Sequence, residues 1–160
     1  MTPDEPALAA IEEVYRRRYP ALLRVALALL GNRERARDAV QEAFVRAIRA
    51  RHAYRSEGEL EAWIWATLTN VCRDVLRRTP PIGLPTGPAQ TNGHSEPWPE
   101  LRAAVAALPE RQRLALFLRY YADLDYQSIA AALGVERGTV AATLHAAHAV
   151  LRTKLKEVAR

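Results

Sequence analysis

His145 and His148 stand three apart, the spacing that turns two imidazoles toward one helix face and lets them share a metal ion. No third ligand accompanies them at a matching interval. The chain has a single cysteine, Cys72, so neither a Cys-rich zinc module nor an intramolecular disulfide is expected. Cys72 lies in an apolar-rich stretch and is expected to be buried rather than reactive. The sequence also lacks a Gly-rich phosphate loop, a His-Glu-x-x-His pair and a nucleophile elbow. The expectation is no enzyme, no metal and no cofactor.

The spacing better supports a nucleic-acid contact. Asp125 is placed to cap a short helix in which Tyr126, Ile129, Ala130 and Leu133 recur at helical steps. Gly134 follows, where a left-handed turn suits glycine, and a longer helix then presents Val140, Leu144, Ala147, Leu151 and Leu155 inward. Short helix, glycine turn and longer helix form a helix-turn-helix pattern, with small Ala130 where the helices cross and Val140 packing beneath. An ordinary helical hairpin also uses glycine turns, but the cap, small residue, glycine and returning apolar position occur together here. The net charge of +5 and pI of about 9.8 fit an anionic partner. Only Lys154 and Lys156 among the 23 basic residues are lysine, and arginine holds phosphate bidentately.

Those residues need a scaffold, and the rest of the chain reads as helix. At 160 residues and 49% hydrophobic content, it suits one medium domain or two small ones. Five of the ten prolines and three of the seven glycines fall between Thr79 and Pro97. Missing amide donors and costly ordering predict a flexible linker there, able to span about 60 Å at full stretch. The chain therefore divides into residues 1–78, a linker at 79–97, and residues 98–160. In the first part, a helix is expected from about Pro20 to Leu30, with Gly31 and Asn32 making a turn. A second follows, with Ala36, Val40, Ala43, Phe44, Ala47 and Ile48 on one face, and a third from Leu60 to Arg78. Arg51 to Glu59 reads as a loop. In the second part, Pro109 and Glu110 suit a first helical turn, followed by Leu114, Phe117, Leu118 and Tyr121 at apolar spacing. No strand is expected. The longest apolar run, Ala21 to Leu30, is broken by Arg24, and the start Thr2-Pro3-Asp4-Glu5 lacks the order of a signal peptide. These features predict an all-α, two-domain cytoplasmic protein with no membrane partner.

Several segments carry a family resemblance. Leu108-Pro109-Glu110-Arg111-Gln112-Arg113, Leu118-Arg119-Tyr120-Tyr121-Ala122-Asp123-Leu124, Ile129-Ala130, Leu133-Gly134-Val135 and Gly138-Thr139-Val140 resemble region 4 of bacterial RNA polymerase sigma factors. Asp38-Ala39-Val40-Gln41-Glu42-Ala43-Phe44 resembles the region 2 helix that docks on the polymerase clamp. Trp63 with Asn70, Asp74, Arg77 and Arg78 resembles the adjoining helix that engages the −10 element. Two motif sets in this order, separated by such a linker, are most similar to the small extracytoplasmic-function group of the sigma-70 family.

The resemblance implies core RNA polymerase and promoter DNA as partners, association with the nucleoid when polymerase is bound, and an anti-sigma protein as a partner type common in the group. Asp38, Gln41 and Glu42 share a face with Val45, which suits either docking on polymerase or an ordinary solvated face; the resemblance favours docking. It further implies that the loop with His52, Tyr54 and Arg55 receives an unstacked −10 base, with phosphate contacts from Arg73, Arg77 and Arg78. Trp63 suits core packing or DNA contact, and one of Trp63 and Trp65 is expected in the core. Asn70 and Asp74 suit DNA contact or a local pair. The −35 face would present Arg137, Thr139, Thr143, His145, His148 and Arg152, but its helix runs Ala141-Ala142-Thr143-Leu144-His145-Ala146-Ala147-His148 where the family usually carries lysines and arginines. A second reading is therefore a sigma-like regulator with weakened or altered −35 recognition, acting mainly through protein contacts. A third is an unrelated helix-turn-helix regulator.

Overall fold

Helix α1 runs from Glu5 to Leu30, longer than the pattern around Pro20 predicts, in a computed structural model that describes residues 5–54, 57–79 and 98–159. Ile11 and Val14 are buried on the same helix as Leu22, Val25 and Leu29, so core packing carries the helix through Pro20. The proline removes one amide donor but faces solvent, where its ring meets no core. Gly31, at φ +66°, makes the turn, and Asn32 caps α2 (Arg33–Arg49) by accepting a 3.0 Å hydrogen bond from the Arg35 amide.

The inner face of α2 is Ala36, Ala39, Val40, Ala43, Phe44 and Ala47. Ile48 does not join it and is 42% exposed, because it falls in the final turn, past the end of the buried stripe. A 3-10 turn at Arg51–Ala53 leads toward α3 (Glu57–Arg78). Leu60, Ile64, Leu68 and Val71 of α3 are buried, as are Trp65 and Cys72. Arg18 of α1 spans this contact: its guanidinium lies 5.6 Å from the Trp65 ring centre, and its Nε is 2.8 Å from a Glu61 carboxylate oxygen. Arg17 pairs with the other oxygen of Glu61.

The second half contains α4 (Pro99–Ala106), α5 (Glu110–Tyr120), α6 (Tyr126–Leu133) and α7 (Arg137–Val158). Sequence periodicity does not anticipate α4, whose eight residues are too few to show a repeat. Leu114, Phe117 and Leu118 are buried as expected, but Tyr121 is the C-terminal cap of α5 and is 39% exposed. Along α7, Val140, Leu144 and Ala147 are buried, Leu151 is half-buried and Leu155 is exposed. The helix outruns the bundle it packs on, so its apolar repeat continues past the core.

All the described secondary structure is helical, in two bundles that lie against each other: α3 packs on α6, and α1 touches α5. Among the described residues, no helix is long and apolar enough to cross a membrane. The Thr79 amide donates to the Val75 carbonyl at 3.0 Å; the remainder of the expected linker, residues 80–97, lies outside the described residues.

Candidate nucleic-acid and protein-contact surfaces

The helix-turn-helix forms as its residues dictate. Asp125 accepts a 2.7 Å hydrogen bond from the Ser128 amide, which holds the Asp125 carboxyl below the usual carboxylate range. Gly134 sits at φ +65°, and the Val135 amide donates to the Ala130 carbonyl at 3.0 Å, closing the end of α6. Ala130 and Val140 are buried where the two helices meet.

On α7, Arg137, His145 and Arg152 are exposed, while Thr139 and Thr143 are half-buried. The Thr143 hydroxyl donates to the Thr139 carbonyl at 2.7 Å. His148 turns back toward α5, with its Nε2 2.8 Å from the Tyr120 hydroxyl, so the two histidines do different things. Among the described residues, no group of three or more His, Cys, Asp or Glu could hold a metal ion. Glu136 occupies the N-cap of α7, and its side chain makes no capping bond.

The fold adds residues that the α7 pattern alone does not reveal. Pro109, Arg111 and Gln112, from the start of α5, line a cleft of about 510 Å³ with Gly138, Thr139, Ala142 and Thr143. Arg111 therefore stands beside the alanine-rich stretch of α7 and supplies a cation where Ala141 and Ala142 offer none. The available signal was Arg111 itself, in the first turn of a helix whose amides already favour anions.

In the first half, Asp38, Gln41 and Val45 are exposed together on α2. Glu42 is half-buried and accepts a 2.8 Å hydrogen bond from Arg46. The face thus combines an apolar spot with acceptors at its edge.

A second surface follows the 3-10 turn. His52 is exposed, and Tyr54 and Trp63 meet edge to face with centroids 5.1 Å apart. Burial raises the Tyr54 phenol well above its ordinary pKa. Trp65 is the core tryptophan at 1% exposure, whereas Trp63 is only partly covered. Arg55 lies outside the described residues. Farther along α3, Asn70, Arg77 and Arg78 are exposed, and Asp74 pairs with Arg77. Arg73 pairs with Glu110 of α5. Asn70, Arg73, Asp74 and Arg77 line one wall of a cleft of about 440 Å³, whose other wall includes Glu110 and Arg113. Burial lowers the Arg113 pKa while Glu110 opposes that shift, and Arg113 Nη1 donates to the Ala106 carbonyl at 2.9 Å.

Comparison with known proteins places both halves in one context. Residues 14–80 match Sigma-70 region 2, and residues 99–149 match Sigma-70 region 4. The chain is 32% identical to the ECF RNA polymerase sigma factor SigE of Mycolicibacterium smegmatis over 96% of its own length, and it spans 65% of that relative. It is 33% identical to the ECF RNA polymerase sigma factor EcfG of Rhodopseudomonas palustris, covering 85% of this chain and 80% of that one. The sigma factor RpoE from Bartonella quintana, solved in complex with the anti-sigma factor NepR, shares the fold with a TM-score of 0.72. That likeness has 22% sequence identity and covers 91% of this chain and 96% of the other. Matches to both regions, in this order, disfavour an unrelated helix-turn-helix regulator.

Proposed function

Because this chain belongs to the sigma-70 family, within its extracytoplasmic-function group, we propose that it binds core RNA polymerase and directs it to promoters. Residues 1–78 form the part that docks on the polymerase clamp and engages the −10 element, residues 79–97 link the parts, and residues 98–160 engage the −35 element. Asp38, Gln41, Glu42 and Val45 make the clamp contact. Val45 supplies a desolvated centre, and the acidic and amide groups pair with basic partner residues around it.

The −10 strand opens against the second surface. His52, Tyr54, Arg55 and the partly covered Trp63 offer ring faces and cations to an unstacked base, while Asn70, Arg73, Arg77 and Arg78 follow the backbone. Arg137, Thr139, Thr143, His145 and Arg152 face the −35 duplex, joined by Arg111. His148 supports that surface through Tyr120. The chain itself performs no catalytic step; nucleotide addition belongs to the polymerase. The protein acts in the cytoplasm, on the nucleoid when polymerase-bound, and an anti-sigma protein is the natural class of antagonist.

The observation that carries this reading is the formed helix-turn-helix in one chain with the exposed Asp38, Gln41 and Val45 face. It is tested by co-purification with core polymerase and by run-off transcription. Wild type should associate and initiate at a defined start, and the Gln41→Ala, Glu42→Ala double variant should lose association while keeping its helical spectrum. Undiminished association of the double variant would remove the assigned clamp face. Binding without initiation by wild type would favour a sigma-like regulator instead.

A further inference from the structure

The outward face of α7, over its first three turns, is made of Arg137, Gly138, Ala141, Ala142 and His145, all of them exposed. Thr139 and Thr143 are half-buried at its edge, and Val140 and Leu144 lie in the core. The Thr143 hydroxyl is spent on the Thr139 carbonyl, and His148 is engaged with Tyr120. The face therefore carries a guanidinium at its start and an imidazole at its end. Between them stand only two methyl groups and the open surface of Gly138, where a Cβ would meet no atom within 4 Å. At 1.5 Å per residue, Arg137 to His145 spans about 12 Å, roughly three to four base pairs at 3.4 Å each.

We propose that Ala141 and Ala142 make this helix a reader of thymine, selecting duplexes whose adjacent T·A pairs set their C5-methyl groups against the two alanines. The idea rests on the sigma-factor reading for the −35 duplex itself and goes beyond it by naming the base. A recognition helix meets base edges with its N-terminal residues, and among the four bases only thymine offers a methyl group in the major groove. Methyl against methyl excludes water and leaves no polar group unpaired there. A G·C pair in the same place would bring guanine O6 and cytosine N4 against side chains that neither donate nor accept. Discrimination thus comes from exclusion as well as attraction. Arg137 takes guanine O6 and N7 bidentately at the N-terminal end, which fixes the register of the thymines beside it.

The test selects duplexes with ten randomised central base pairs on the full chain, both alone and bound to core polymerase. The bound pool should be enriched in two or more consecutive T·A pairs within four positions of a guanine. Replacing those thymines with uracil removes the methyl and nothing else. Affinity should then fall about two- to fourfold for each methyl lost, while uracil elsewhere in the duplex should have no effect. Ala142→Gln puts a good helix former at an exposed site and brings an amide that pairs with adenine N6 and N7. It should abolish the uracil effect at one position and shift the selected base there to adenine. A pool without thymine enrichment would overturn the assignment, and so would an affinity indifferent to uracil. Because the chain-alone arm needs no polymerase, the thymine preference and the sigma-factor reading fail separately.

Discussion

The Tyr120 hydroxyl stands 2.8 Å from His148 Nε2, and the two rings meet edge to face with centroids 5.8 Å apart. This pair ties α5 to α7 on the outer side of the helix-turn-helix, so His148 is already engaged before any DNA arrives. Tyr120→Phe keeps the ring contact and loses the hydrogen bond. It should cost about 0.5–1 kcal/mol in urea unfolding. A double-mutant cycle with His148→Ala should show coupling of similar size. His148→Ala should change duplex affinity less than His145→Ala, since His145 is exposed. Additive mutants would show that the two residues are merely adjacent.

The two devices that shape the α6–α7 turn should separate by pH. Gly134 adopts φ +65°, and a Cβ built on it meets no atom within 4 Å. Gly134→Ala therefore costs only backbone strain, about 1–2 kcal/mol. Asp125→Ala removes a helix cap, with a cost of about 1 kcal/mol near neutral pH. The Asp125 pKa is depressed by its bond to Ser128, so its contribution is complete above the unfolded-state value of about 3.9. It disappears as pH falls through the lower folded-state value. Denaturation series at neutral and strongly acidic pH should show the Asp125→Ala deficit shrinking while the Gly134→Ala deficit remains.

Much of this arrangement is legible in the sequence because its signals are local. Asn32, Asp125 and Gly134 act within a few residues, and each does what its side chain or its lack of one predicts. The apolar repeats also locate Ala36 to Ala47 and Val140 to Ala147. Sequence spacing fails where tertiary packing decides. Ile11 and Val14 carry α1 through Pro20 because other helices cover them, and Ile48, Tyr121 and Leu155 continue a pattern beyond its cover. The pairing of Arg73 with Glu110 joins residues 37 positions apart, a relationship that no helical period encodes.

Cys72 is fully buried in α3, and burial pushes its thiol up to about 12. A thiol reagent at pH 8 then meets neither an exposed sulfur nor a significant thiolate fraction. Native protein should react about a hundredfold or more slowly than urea-unfolded protein, with a rate that follows opening of the first bundle. Fast native labelling would show that α3 is not held as described.

Arg111 offers the sharpest test of how an alanine-rich helix could still hold DNA. It lines the cleft beside Thr139 and Thr143, whereas Ala141 and Ala142 provide no charge. Each phosphate neutralised by a side chain adds about one to the slope of log affinity against log salt. Arg111→Ala should therefore reduce that slope by about one on a mixed-sequence 24-base-pair duplex, in a titration of the full chain. Ala142→Arg should raise it by a similar amount in the Arg111→Ala background, because the new cation enters the same cleft. If Arg111→Ala leaves the slope unchanged, phosphate is held instead by Arg137 and Arg152, and α5 serves only to brace α7.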